Sequence, residues 1–158
     1  MLFVPKSSLY YLAEENLKKF DVVVSKETLR DSLFSLNVEN LDVSTKGIES
    51  AKIDSVELTF LGVYNSVKVK EIELSSIVEA YFPSKIKSID LEYSFLHPLT
   101  VHADSVGKFG EISATFNLLD LELNATLKPS QLMLKKYRRS LHFFKKSKEG
   151  EYLYAKAL

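Results

Sequence analysis

One short apolar figure is written four times in this chain. It appears as Val38, Leu41 and Val43 ("NVENLDV"), then as Ile53, Val56, Leu58 and Phe60 ("AKIDSVELTF"). It returns as Val69, Ile72 and Leu74 ("VKVKEIEL") and as Ile86, Ile89 and Leu91 ("SKIKSIDL"). Each copy has one gap of three followed by alternation, and successive copies begin 15 to 17 residues apart. Alternation lays one side of a strand on a core, because successive side chains point to opposite faces. A gap of three reverses that phase, so it marks either a β-bulge, which inserts one extra residue, or the border between two strands. The turn formers lie elsewhere, at "STKG" (44–47), "GVYNS" (62–66) and "YFPS" (81–84), which favours long bulged strands.

The remaining segments fit the same scheme. "PKSSLYYLAEENLKKF" (5–20) reads as a helix, with Pro5 in its first turn, Ser7 or Ser8 as cap and a stripe of Leu9, Leu12, Leu17 and Phe20. "DVVVS" (21–25) is β-branched and reads as a short strand, and "KETLRDSLF" (26–34) as a turn or a single helical turn. "SIVEAYF" (76–82) reads as a helical turn stopped by Pro83. Alternation resumes in "LTVHADSV", "EISATFNL" and "LELNATLK". A second long helix is expected over "PSQLMLKKYRRSLHFFKK" (129–146), with Leu134, Tyr137, Leu141 and Phe144 as its apolar stripe, before a final strand in "EYLYAKAL". The expected class is α+β and β-dominated: a long twisted antiparallel meander, with an N-terminal helix and a C-terminal amphipathic helix packed on it. Residues 1–158 read as a single domain, long enough to bury a core without staples.

Composition narrows the chemistry. With 46% hydrophobic and 27% charged residues the chain belongs with folded proteins, and the absence of cysteine removes disulfides, thiolate catalysis and Cys-based zinc sites. The net charge of zero hides a split. Residues 1–127 hold 12 Lys/Arg against 19 Asp/Glu, a net of −7, and residues 128–158 hold 9 against 2, a net of +7. A basic end on an acidic body suits an acidic partner or an anionic surface. No run of 18 apolar residues exists to span a membrane. The stub "MLFVP" reads either as the scar of a removed membrane anchor or as an ordinary N-terminus.

No catalytic constellation stands out. His97, His102 and His142 lack the spacing of a metal site, and the serines and glycines form neither a nucleophile elbow nor a phosphate loop. Glu57, Glu71, Glu73, Asp90, Glu92 and Glu122 fall at the polar positions between apolar ones, as on the solvated side of a sheet. The reading is of a non-enzyme without cofactor. Lys135, Lys136, Arg138, Arg139, Lys145, Lys146 and Lys148 surround the apolar stripe of the C-terminal segment. That arrangement suits packing on the sheet, with contact to an anionic membrane or an acidic partner open beside it; the acidic body argues against nucleic acid.

The stretch "VPKSSLYYLAEENLKKF" followed by "VVVSKETLRDSLFSLNVENLDVSTKGIESAKIDSVELTF" resembles the type II secretion system protein N family, which is grouped with the AsmA-like envelope proteins. The shared cadence is a Pro-containing helix, a strand, then "sL.v.n..v...gi..a.id.v.l". It covers Val4 to Leu74 and weakens through Leu127. The resemblance implies an inner-membrane anchor ahead of residue 1, a periplasmic β-domain, and a non-enzymatic role in secretion, envelope assembly or lipid traffic. Lipid or an acyl chain held on a concave apolar face is the sharper expectation, with Val56, Leu58, Phe60, Ile72, Leu74, Leu91, Tyr93 and Phe95 as lining. The competing expectation is an adaptor that docks an envelope or secretion protein through an edge strand or the basic C-terminal segment.

Overall fold

A computed structural model describes residues 6–61 and 63–157. The stub "MLFVP" and Gly62 of the second turn lie outside the described residues. The chain runs α1 (Lys6–Lys18), β1 (Val22–Ser25), β2 (Thr28–Asp31), β3 (Ser35–Thr45), β4 (Ile48–Phe60), β5 (Tyr64–Leu74), α2 (Ser76–Glu79), β6 (Lys85–Ser94) and β7 (Thr100–Gly107). It continues with β8 (Gly110–Asn117), β9 (Glu122–Pro129), α3 (Gln131–Lys136), a 3-10 helix (Arg138–Phe143), β10 (Lys145–Lys146) and β11 (Tyr152–Ala157). Among the described residues, these eleven strands form one antiparallel sheet in the order β1-β3-β4-β5-β6-β7-β8-β9-β11-β10, with β2 also pairing β3. The β-dominated meander expected from the fourfold figure is the architecture found.

The strands run unbroken through their gaps of three, and the gaps line up. Registers on either side place Asn40 opposite Asp54, Asp54 opposite Glu71, and Glu71 opposite Lys87, in one row across β3, β4, β5 and β6. Every strand gains its extra residue at the same level, so no register shift arises between these four at the row. The apolar side keeps its face across the row: Leu36, Val38 and Leu41 are all buried. β7 carries no such gap, and there the mismatch surfaces as a shift between Ile86 and Ser88. The expected bulge in each strand is thus one dislocation shared by four, with a single bulge where it ends.

Two separate cores pin this sheet. The first gathers Leu36, Val38 and Leu41 with Tyr10, Val24, Leu29, Ile53, Val56 and Leu58. The second gathers Phe109, Leu127, Met133, Tyr137 and Leu141 with Phe82, Ile86, Ile112, Leu134, Phe144 and Tyr152. Each fully buried side chain contributes roughly 1.5–3 kcal/mol. The hairpin at "STKG" closes on Lys46 and Gly47, both at positive φ (53° and 75°), the backbone of a type I′ turn that matches strand twist.

Three local expectations are corrected. Residues 26–34 hold no helical turn: Thr28–Asp31 pair with Leu36–Glu39, which brings Leu29 into the first core. The long helix over 129–146 is broken at Tyr137 (φ −112°, ψ 26°). Ser130 caps a six-residue α3 by accepting from the Met133 N–H at 3.1 Å, and a 3-10 helix then carries Leu141 into the core that already holds Met133 and Tyr137. Lys145 and Lys146 end in a strand pair with Leu153 and Tyr152. In α1, Ser7 and Ser8 lie inside the helix, and Leu12, Leu17 and Phe20 of the expected stripe are exposed while Tyr10 packs inward. With only β1–β3 beneath it, α1 has a narrow seat and leaves most of its stripe in water.

Candidate functional site

Cross-strand partners share a face, so the registers sort the side chains into two sides. One level of the apolar side runs Leu36, Leu58, Val67, Leu91, Ala103, Ala114, Ala125, Tyr154. The level nearer the β4–β5 turn runs Phe60, Asn65, Tyr93, Val101, Phe116, Leu123. α1 packs on β1–β3 and α3 on β9. Between them Phe60, Val67, Tyr93, Val101 and Phe116 are half-buried and Leu91 is exposed, which leaves an apolar strip in the middle of the sheet partly in water.

Of the expected lining residues, Val56, Leu58, Phe60, Leu91 and Tyr93 share this strip or its border. Val56 and Leu58 also flank the first core. Ile72 and Leu74 lie beyond the dislocation, and Ile72 is buried, only 6% exposed, so it is a packing residue and not a surface for a ligand. Phe95 stands past the end of β6 in the β6–β7 turn, 67% exposed.

The opposite side is polar, and charges oppose one another there as the pattern predicts. Lys68 Nζ reaches Asp90 at 3.7 Å and Lys85 reaches Glu73 at 3.7 Å. Tyr64 donates its hydroxyl to Glu92 at 2.8 Å, which raises the Tyr64 pKa above its ordinary value. Lys26 donates to Asp42 at 2.5 Å and lowers the Asp42 carboxyl below its usual range. These pairs lie at the solvated surface, where water and salt screen them.

A cavity of about 690 Å³ also lies on this polar side. His102, Asp104, Ser113, Thr115, Asn124 and Thr126 line it from the sheet, and Phe143, Lys145 and Leu153 close it at the β10 edge. Ser113 donates to Asp104 at 2.6 Å. Sequence reasoning missed it, because its residues are spread from His102 to Leu153 and meet only once the registers of β7–β11 are known.

The basic residues divide between places. Lys135, Lys136, Arg138 and Arg139 line a groove of about 540 Å³ with Ala80, Tyr81, Tyr137 and Ser140, and no carboxylate lines it. Ser140 donates to the Tyr81 carbonyl at 2.5 Å, tying the 3-10 helix to the segment after α2. Lys136 Nζ sits 5.2 Å from the Tyr137 ring centroid. Lys145 and Lys146 are not part of this groove: Lys145 faces the polar-side cavity, and both are held in β10.

Among the described residues, no group of three or more His, Asp or Glu is arranged to hold a metal ion, and no helix is long and apolar enough to cross a membrane. No family model, no curated protein and no solved structure matches the chain.

Proposed function

We propose that this chain is a non-enzymatic binding domain of the bacterial envelope, tethered to the inner membrane and facing the periplasm, that holds lipid or an acyl chain on the apolar side of its sheet in secretion or envelope biogenesis. The observation that carries the reading is the strip between the two cores. Phe60, Tyr93 and Val101 share one register level, with Leu91 on the next, on strands that no helix of the main packing covers. Contiguous exposed apolar surface on a folded protein is a place where something binds. An acyl chain is apolar along its length and needs no hydrogen bonds, which suits a wall with Asn65 as its one polar member at that level. The envelope location and the tether rest on the resemblance of Val4–Leu74 to the type II secretion system protein N family.

Native mass spectrometry of the purified chain, followed by solvent extraction, tests this. A stoichiometric phospholipid or fatty acid supports the reading; a clean unliganded mass with no uptake from added lipid overturns it. A second reading, an adaptor for another envelope protein, is favoured by two specific features. β10 covers only the first two residues of β11, leaving Tyr154–Ala157 with a bare outer edge among the described residues. The groove of Lys135, Lys136, Arg138 and Arg139 offers four cations to an acidic segment.

A further inference from the structure

Because the sheet is a meander, its connections alternate between two ends. The turns before β3, β5, β7 and β9 all fall at the same end. That end is unusually greasy. Leu33 (74% exposed) and Phe34 occupy the first tip, Leu61 and Val63 the second, Phe95 and Leu96 (80%) the third, and Leu118 and Leu119 (71%) the fourth. Six strand spacings separate the first tip from the last, about 29 Å. The described residues of these four tips include one histidine, His97, and one acid, Asp120.

Several backbone amides of these tips are hydrogen-bonded. The Phe60 N–H donates to the Phe34 carbonyl, the Phe95 N–H to the Val63 carbonyl and the Leu118 N–H to the Leu99 carbonyl, each at 2.8 Å. Each bond joins one tip to the next. Within the tips, the Leu61 N–H donates to the Tyr64 carbonyl at 2.9 Å and the Leu119 N–H to Asn117 Oδ1 at 2.9 Å. Loops that enter an apolar medium pay heavily for unpaired amides, and each of these bonds removes one such cost.

From this we infer that the row of tips is a membrane-contacting rim, which dips its Leu and Phe side chains into the surface of a lipid bilayer. Two features select lipid over a second protein. Protein hot spots seat anchors in pockets, whereas Leu33, Leu96 and Leu119 of this rim stand out from the surface, 74%, 80% and 71% exposed. A line of knobs without holes has no self-complementary partner, whereas a fluid bilayer conforms to it. The rim is also continuous with Phe60, Tyr93, Val101 and Phe116 of the apolar strip directly behind it. The contact is one of apolar insertion, so it differs from attraction of the basic groove to anionic headgroups at the other end of the strands. It does not rest on the acyl-chain reading, since a rim can insert whether or not the strip behind it holds a ligand.

The test uses vesicles of pure phosphatidylcholine, which carry no net charge, and the whole chain. Wild-type protein is expected to co-sediment with them, equally at roughly 0.1 and 0.5 M NaCl, because screening acts on charges and not on apolar insertion. Leu96→Glu/Leu119→Glu, both at well-exposed positions, is expected to keep the circular-dichroism spectrum and thermal midpoint and to lose vesicle binding by about tenfold or more. The chain has no tryptophan, so Leu96→Trp gives a single reporter; its emission should shift to the blue on adding vesicles and be quenched by brominated phosphatidylcholine. Wild-type protein that stays in the supernatant overturns the inference, as does undiminished binding by the double variant. So does binding that vanishes at the higher salt, or sedimentation velocity showing that the rim instead joins two copies.

Discussion

Asn40 and Glu71 sit two strands apart on one cross-strand row, and both adopt the left-handed backbone region, at φ 57° and 48°. Asp54, the residue between them, does not. Left-handed backbone is cheap for asparagine and costs about 1 kcal/mol for a residue such as glutamate. Glu71→Gly is therefore expected to stabilise the fold by about 0.5–1 kcal/mol, and Glu71→Val to destabilise it by about 1 kcal/mol or more. Urea denaturation of the two variants checks this. Loss of stability in the glycine variant would show that the dislocation does not strain this backbone.

Tyr10 is the inward-facing residue of α1, and its hydroxyl is buried with no hydrogen-bond partner among the described residues. Burial, with repulsion from Glu27 and Glu14, pushes its pKa up to about 12. The neutral phenol is thus favoured in the fold relative to the unfolded chain, where it titrates near 10. That contribution is fully present below pH 10 and is lost as pH rises toward 12. Tyr10→Phe is expected to be neutral or stabilising by up to about 1 kcal/mol at pH 7 and to flatten the alkaline fall in stability. Unfolding curves at neutral and alkaline pH give both answers.

Gly110 holds φ 118° at the start of β8, and a Cβ there would press on the β9–α3 junction, with Ser130 N at 2.8 Å and Pro129 C at 3.0 Å. Gly110→Ala should cost about 2–4 kcal/mol, through strained backbone and through displacement of the Phe109 turn. A thermal midpoint within a degree or two of wild type would mean that this turn is looser than its contacts imply.

Phe60 separates the open strip from a closed core. A charge placed on a half-exposed face should be tolerated within about 1 kcal/mol, whereas burying an unpaired carboxylate costs several. Phe60→Glu is expected to keep the fold and to lose any co-purifying acyl chain. Unfolding of the variant would sink the open-face reading.

Strand alternation was legible because it is local: each of the four figures names its own inward residues, and Val38 and Leu41 are buried where the first figure puts them. The shared dislocation was legible only as a repeated gap, since its meaning depends on how Asn40, Asp54, Glu71 and Lys87 align across strands. The C-terminal helix was misjudged for a related reason. Leu134, Tyr137, Leu141 and Phe144 do all meet the second core, yet a 3-10 step after Tyr137 delivers them as well as an α-helix would. Apolar spacing reports which residues go inward and is less exact about the coil that takes them there. The greasy rim was invisible for the opposite reason: its tips look like separate turn leucines until the meander collects them at one end.

Strand pairing with sequence neighbours along nearly the whole sheet, with a core near each extremity, makes this protein quasi-one-dimensional. Nearly all of its contacts can form by zippering, so the chain can nucleate at either terminal cluster and grow inward, one hairpin at a time. The central strands β5–β7 are then the last to lock and the first to open, and in hydrogen exchange their amides should be the least protected part of the ladder.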